Sequence, residues 1–132
     1  MIFADTSFWV ALMAPKDAHH DQARTLLRAH ADESLLVTNH IRGETWTFLR
    51  RRGGHRIAVK YLDRLERSQR VQIVGVSDEV EEQALRWLRR HDEREYSFVD
   101  ATSFAVMKAG RIRDAFAFDG DFTAAGYREL RN

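Results

Sequence analysis

No cysteine occurs anywhere in the 132 residues. Disulfides and thiolate metal sites are therefore excluded. No run approaches the ~20 apolar residues that a membrane-spanning helix requires. The N-terminal stretch lacks the basic region and long apolar core of a secretion signal. A cytoplasmic protein is expected. Lysine is scarce: Lys16, Lys60 and Lys108 stand against 18 arginines among 21 basic residues. Arginine suits bidentate phosphate contact, although an arginine-favouring, GC-rich genome accounts for the same count. Excess charge of either sign is missing, since the formal net charge is +1. That is no global nucleic-acid footprint, yet an acidic site with a basic rim balances in the same way. No glycine-rich phosphate loop follows a strand, and the six histidines lack ligand spacing. No Ser–His–Asp arrangement is readable. Repeats, linkers and low-complexity segments are absent, and a single domain over 1–132 is expected.

What is present is an alternation of short apolar strands and helices. Met1 to Ala4 is apolar and is followed by Asp5, Thr6 and Ser7. Asp114 to Phe118 repeats the arrangement, with Asp119, Gly120 and Asp121 after it. Short apolar runs bounded by turn residues read as strands buried on both faces. Ser34–Thr38 and Val71–Val76 read as two more strands, and Tyr127–Leu130 as an edge strand. Helices are expected over Thr6–Met13, after a cap at Asp17, from an Asn39 cap to Arg52, around Ile57–Leu65, after Ser77, over Ser97–Ala109 and from Gly120 or Asp121 to Gly126. The helix from Ser97 shows hardly any polar face, so it reads as buried nearly all round. The order indicates an α/β domain with a largely parallel sheet.

Open parallel sheets hold their ligands at the carboxyl ends of strands. Asp5 and Asp119 sit at two such ends. Asp100 opens a nearly apolar helix. Glu44 falls about 60° from Ile41 on its helix, at the border of the inward face formed by Ile41, Thr45, Phe48 and Leu49. Each has an ordinary alternative: Asp5 and Asp119 as helix caps, Ser97-x-x-Asp100 as a capping box, Glu44 as a solvated side chain. Carboxylates crowded in a cleft raise one another's pKa. Such crowding persists where a cation relieves it, and all-oxygen donors favour Mg²⁺ or Mn²⁺.

These pieces together resemble the PIN-domain ribonucleases, and within them the VapC-type toxins of toxin–antitoxin pairs. The matching segments are Phe3–Ser7 (FADTS), Glu44 in an early helix, Ser97–Ala101 (SFVDA), and Ala117–Phe122 (AFDGDF) followed by Gly126 and Tyr127. They span essentially the whole chain. The resemblance implies a three-layer fold with a central, mostly parallel sheet of four to five strands between helices. It implies a Mg²⁺- or Mn²⁺-dependent endoribonuclease of two-metal type. Asp5, Glu44, Asp100 and Asp119 are the implied catalytic and metal-binding quartet, with Asp121 an auxiliary metal-binding acid. Thr6 or Ser7 is the implied hydroxyl that steadies the first Asp. Relatives often carry Thr or Ser immediately before the last Asp; here that residue is Phe118. A cognate antitoxin that blocks the site and a homodimeric toxin are also implied.

Arg50, Arg51, Arg52 and Arg56 flank Gly53-Gly54 and could follow RNA phosphates or hold an acidic antitoxin segment; a helix end favoured by its dipole reads the same. Trp46, off the inward face of its helix, is a candidate for either partner. Two other functions compete. A receiver-like signalling domain also gathers acids around Mg²⁺, but it needs a late Lys after a strand, and Lys108 falls inside a helix. A PIN module that binds RNA without cutting it would carry no need for the full quartet. A phosphatase with a strand-end Asp nucleophile would place a second Asp where Ser7 stands.

Overall fold

The computed structural model describes residues 1–132 and is built on a five-stranded, all-parallel sheet flanked by seven helices. In chain order the elements are β1 (Ile2–Ala4), α1 (Thr6–Met13), α2 (His20–Ala29), β2 (Leu35–Thr38), α3 (Asn39–Gly53), α4 (His55–Arg67), β3 (Val71–Val74), α5 (Asp78–Arg90), α6 (Phe98–Ala109), β4 (Asp114–Phe116), α7 (Asp121–Ala124) and β5 (Arg128–Glu129). The strands lie in the order β3-β2-β1-β4-β5. The order reverses between β1 and β4, which makes the crevice beyond their carboxyl ends the place where such sheets bind ligands.

The apolar runs at both ends of the chain make the centre of this sheet. Phe3 pairs with Ala115 and Ala4 with Phe116. Alternate residues of a strand point to opposite faces, so Phe3 and Phe116 lie on different sides. Phe3 meets Phe122 of α7, which in turn meets Phe104 of α6. Phe116 stacks with Phe8 of α1 at 4.7 Å between ring centres. Both faces are thus sealed by aromatic contacts immediately beneath Asp5 and Asp119. The backbone continues the registration: Asp5 N–H donates to the Phe116 carbonyl at 3.0 Å.

The helices begin and end near the expected places, with three corrections. Asp17 does not cap α2; its side chain accepts from His19 N–H and forms a turn, and the helix begins at His20. The cap of α3 is Thr38, not Asn39. Thr38 Oγ1 accepts from Ile41 N–H at 3.0 Å, while the Asn39 side chain accepts from Val76 N–H at 2.9 Å and ties α3 to the segment after β3. Helix α6 is not buried all round, because Phe98 and Lys108 are exposed and Val99 is only half-buried. The strands are also shorter than read, β4 ending at Phe116, although Ala117 stays buried beyond it. Gly54 sits between α3 and α4 at φ 93°, a conformation that favours glycine.

The reassigned cap is testable. Thr38→Val keeps the buried branched shape and deletes the oxygen. We expect it to cost ~1 kcal/mol in urea unfolding. An unchanged midpoint would remove Thr38 from the role.

Candidate active site

Each acid of the crevice arrives on a different element. Asp5 leaves β1 and caps α1. Its Oδ2 accepts both from Ser7 N–H at 3.1 Å and from Ser7 Oγ–H at 2.7 Å. Both bonds fall on one oxygen, which leaves the other available to a cation. Ser7 Oγ also accepts from Phe118 N–H at 3.0 Å. One hydroxyl therefore joins the end of β1 to the end of β4, at the residue whose own side chain carries no hydroxyl.

Glu44 projects from α3. Its Oε1 accepts from Thr6 Oγ1 at 2.6 Å, and Thr6 Oγ1 accepts in turn from Thr45 Oγ1 at 3.1 Å. The two candidate hydroxyls thus divide: Ser7 steadies Asp5, and Thr6 steadies Glu44. Asp100 stands in the first turn of α6 within a complete capping box. Its Oδ2 accepts from Ser97 N–H at 2.9 Å while Ser97 Oγ accepts from Asp100 N–H at 3.0 Å. Again one carboxylate oxygen is used by the cap. Asp119 does not hold the cap position of α7, which Gly120 occupies at φ 83°, although its Oδ1 accepts from the N–H of Asp121, the first residue of α7, at 3.1 Å.

Asp5, Thr6, Ser7, Glu44, Asp100, Asp119 and Asp121 all line one cleft of about 560 Å³. Within it, oxygens of Asp100, Asp119 and Asp121 lie within 4.8 Å of one another. At Asp100 the helix cap and the cluster are therefore one arrangement, since the capping residue is itself one of the three close acids; Asp5 and Glu44 line the same cleft but stand outside that close group.

Burial raises Asp5 well above the usual carboxylate range. The charge of Asp119 adds to this, and the two Ser7 hydrogen bonds oppose it. Asp100 is pushed up to about 6, first by burial and then by the charges of Asp121 and Asp119, against the Ser97 hydrogen bonds. Asp119 is also raised, chiefly by desolvation, although its side chain remains the most open of the three. Groups disfavoured as anions, grouped around oxygen donors and carrying no sulfur or imidazole donor into the cluster, fit a hard divalent ion.

The arginine candidates divide. Arg51 and Arg52 line a groove of about 740 Å³ with His40, Phe48 and Phe98, and this groove shares Glu44 and Phe48 with the acidic cleft. Arg50 and Arg56 are exposed but line neither. Trp46 is half-buried, edge-on to His55, and lines neither. Three contributors escape a sequence reading. Arg94 pairs with Asp121 Oδ1 at 2.8 Å. His19 lies flat on Phe118, ring centres 4.6 Å apart, and Glu95 adds another acid to the cleft wall. No motif marks them, because they come from irregular segments.

With this geometry, comparison with known proteins is informative. The profile of the PIN domain matches residues 2–126. The chain belongs to the PIN-domain family. It is 54% identical over 131 residues to VapC20 of Mycobacterium tuberculosis, a 23S rRNA-specific endonuclease, covering 99% of this chain and 98% of that protein. It is 32% identical over 124 residues to a VapC ribonuclease of Archaeoglobus fulgidus, covering 90% of this chain and 77% of that protein. The crystal structure of M. tuberculosis VapC20, described as a sarcin-ricin loop cleaving toxin, superposes with a TM-score of 0.93 at 53% identity over all of both chains. The PIN fold read from the strand-end motifs is the fold observed.

The raised Asp100 carries a definite sign for stability. Its folded value, about 6, exceeds its ordinary 3.8, so the folded protein holds the extra proton between these values. Stability from this group is complete below the lower value and is lost as pH rises through the upper one. Asp100→Asn still accepts from Ser97 N–H but cannot ionise. In metal-free buffer its melting temperature relative to wild type is expected to rise from about pH 4 to about pH 7. A relative loss over that range would contradict the assignment.

Proposed function

We propose that this PIN-domain chain is a divalent-metal-dependent endoribonuclease and the toxin of a toxin–antitoxin pair. The observation that carries the reading is the convergence of Asp5, Glu44, Asp100 and Asp119, from four separate segments, on one cleft at the switch point of the sheet. Asp5, Glu44, Asp100 and Asp119 are the residues that would hold Mg²⁺ or Mn²⁺, with the free oxygen of Asp121 beside them. When bound, such ions supply an activated water and neutralise charge on a phosphodiester.

The protein's own part is orientation. Ser7 fixes the rotamer of Asp5 and, through Phe118 N–H, its distance from the Asp119 turn. Thr6 holds Glu44 toward the cleft. The capping box sets Asp100 at the start of α6. Partners of this kind typically matter 10–100-fold for metal affinity or activity. In the proposed reaction a water oxygen adds to phosphorus, the P–O3′ bond breaks, and the products carry a 5′-phosphate and a 3′-hydroxyl. The ribose 2′-hydroxyl takes no part.

The 54% identity to VapC20 over nearly the whole chain supports the same kind of substrate, a structured ribosomal RNA loop such as the sarcin-ricin loop. Arg51 and Arg52, in the groove that opens into the cleft, are suited to the phosphates of that RNA or to an acidic antitoxin segment. The antitoxin would act by covering the cleft, and the toxin would work as a homodimer, as the family resemblance implies. The receiver-like alternative finds no support: Lys108 lines a separate cleft with Trp87 and Tyr127.

Antitoxin-free protein is expected to cut ribosomal RNA with Mg²⁺ or Mn²⁺ and not in excess EDTA. Asp5→Asn and Asp119→Asn should abolish cutting. Asp114→Asn, an acid paired with Arg128 at the other end of β4, should leave it intact. Mapping of product ends supplies the second readout. Cyclic 2′,3′-phosphate ends, or full activity in EDTA, would refute the mechanism.

A further inference from the structure

The cleft is strongly anionic for a site proposed to take a polyanion. Asp5, Asp17, Glu44, Glu95, Asp100, Asp119 and Asp121 all line it. One arginine is bonded into this set. Arg94 lies in the irregular segment between α5 and α6, whose Glu95 and Ser97 form part of the cleft wall. Its Nε donates to Asp121 Oδ1 at 2.8 Å, and its Nη2 donates to the Asp119 carbonyl at 3.2 Å. Gly120 makes room for it. A Cβ at that residue would stand 3.3 Å from Nη2, and its φ of 83° already favours glycine. The guanidinium therefore rests against the bare backbone of the turn that carries Asp119.

A guanidinium has five N–H donors in a rigid fork. These two contacts use two of them. The side chain is 42% exposed, which leaves donors for solvent or a ligand beside Asp119 and Asp121, two of the residues that line the cleft; Arg94 itself lies just outside that lining. A fork held by a carboxylate on one edge and free on the other is preorganised for a phosphate oxygen.

We propose that Arg94 is an RNA-contacting residue that grips a phosphate at or next to the bond to be cut. Asp121 is its positioning partner, holding the fork in place through Nε. The proposal rests on the endoribonuclease reading for the identity of the ligand. It differs from the groove arginines in mechanism: Arg51 and Arg52 lie beyond Glu44, whereas Arg94 is bonded to the Asp119 turn itself.

The structural alternative is that Arg94 merely braces the turn. The two make different predictions for three measurements on antitoxin-free protein: affinity for an RNA hairpin by anisotropy as salt is varied, steady-state cleavage, and the rise in melting temperature produced by Mn²⁺ alone. For Arg94→Ala, a phosphate contact predicts a log–log salt slope flatter by roughly 0.7. It also predicts kcat/KM lower by roughly 10–100-fold, the usual range for a hydrogen bond to a charged group. The Mn²⁺-induced rise should remain at least as large as in wild type. Arg94→Lys should restore the salt slope but only part of kcat/KM, because it keeps the charge and loses the fork. An unchanged slope in Arg94→Ala overturns the proposal, and so does loss of the Mn²⁺ response, which would make Arg94 a brace of the metal site. If wild type binds RNA with an Arg94-dependent slope but cuts none, the contact stands and the nuclease reading fails. If wild type cuts and Arg94→Ala cuts equally well with the same slope, the contact alone fails.

Discussion

Repulsion between carboxylates brought out of water is the constraint on which this architecture turns. Two unit charges ~4 Å apart repel by about 4 kcal/mol at an effective dielectric near 20, while a whole domain is stable by only about 5–15 kcal/mol. The fold nevertheless carries Asp5, Asp100 and Asp119 into one cleft and desolvates each of them. It tolerates this through hydrogen bonds donated by Ser7, by Ser97 and by Asp121 N–H. Those bonds fix the groups without neutralising them. Arg94 reaches only Asp121 and the Asp119 carbonyl, so the compensating charge must come from outside, and a hard cation is the chemistry the donors suit.

The sheet exists to hold that arrangement rigid. β1 and β4 are adjacent and parallel, so the residues after them leave on the same edge. Phe3, Phe116, Phe8 and Phe122, all fully buried, pack against one another beneath the strand ends. α1, α3 and α6 each then contribute an acid from the first turn, the preceding cap or a face turned toward the cleft. A displacement of any one changes the spacing of oxygens that a small divalent ion needs.

Much of this was legible because strand-end acids have few other reasons to follow buried apolar runs. Asp5 and Asp119 announce themselves by position, and Asp100 by its place in a nearly apolar helix. Capping is the competing explanation for Asp5, Asp119 and Asp100; Asp5 and Asp100 do cap, each through one oxygen, whereas Gly120 and not Asp119 holds the cap position of α7. The sequence pattern could not assign α3 to Thr38 instead of Asn39, since both side chains cap helices well and only the contact of Asn39 with Val76 separates them. It could not divide Thr6 from Ser7, which depends on a helical turn placing one toward α3 and the other toward β4. Nor could it find Arg94, one of 18 arginines, whose partner lies 27 residues away. Irregular segments carry no periodicity, and the side chains they bring to a site are visible only in three dimensions.

The central claim, that the cleft is a cation site assembled by the sheet, is tested most directly by crystals soaked in Mn²⁺ and measured for anomalous scattering. The account predicts a peak among Asp5, Asp100 and Asp119. No peak there at a Mn²⁺ concentration that supports RNA cleavage, or a peak only at outlying acids such as Asp17 or Glu95, would contradict it.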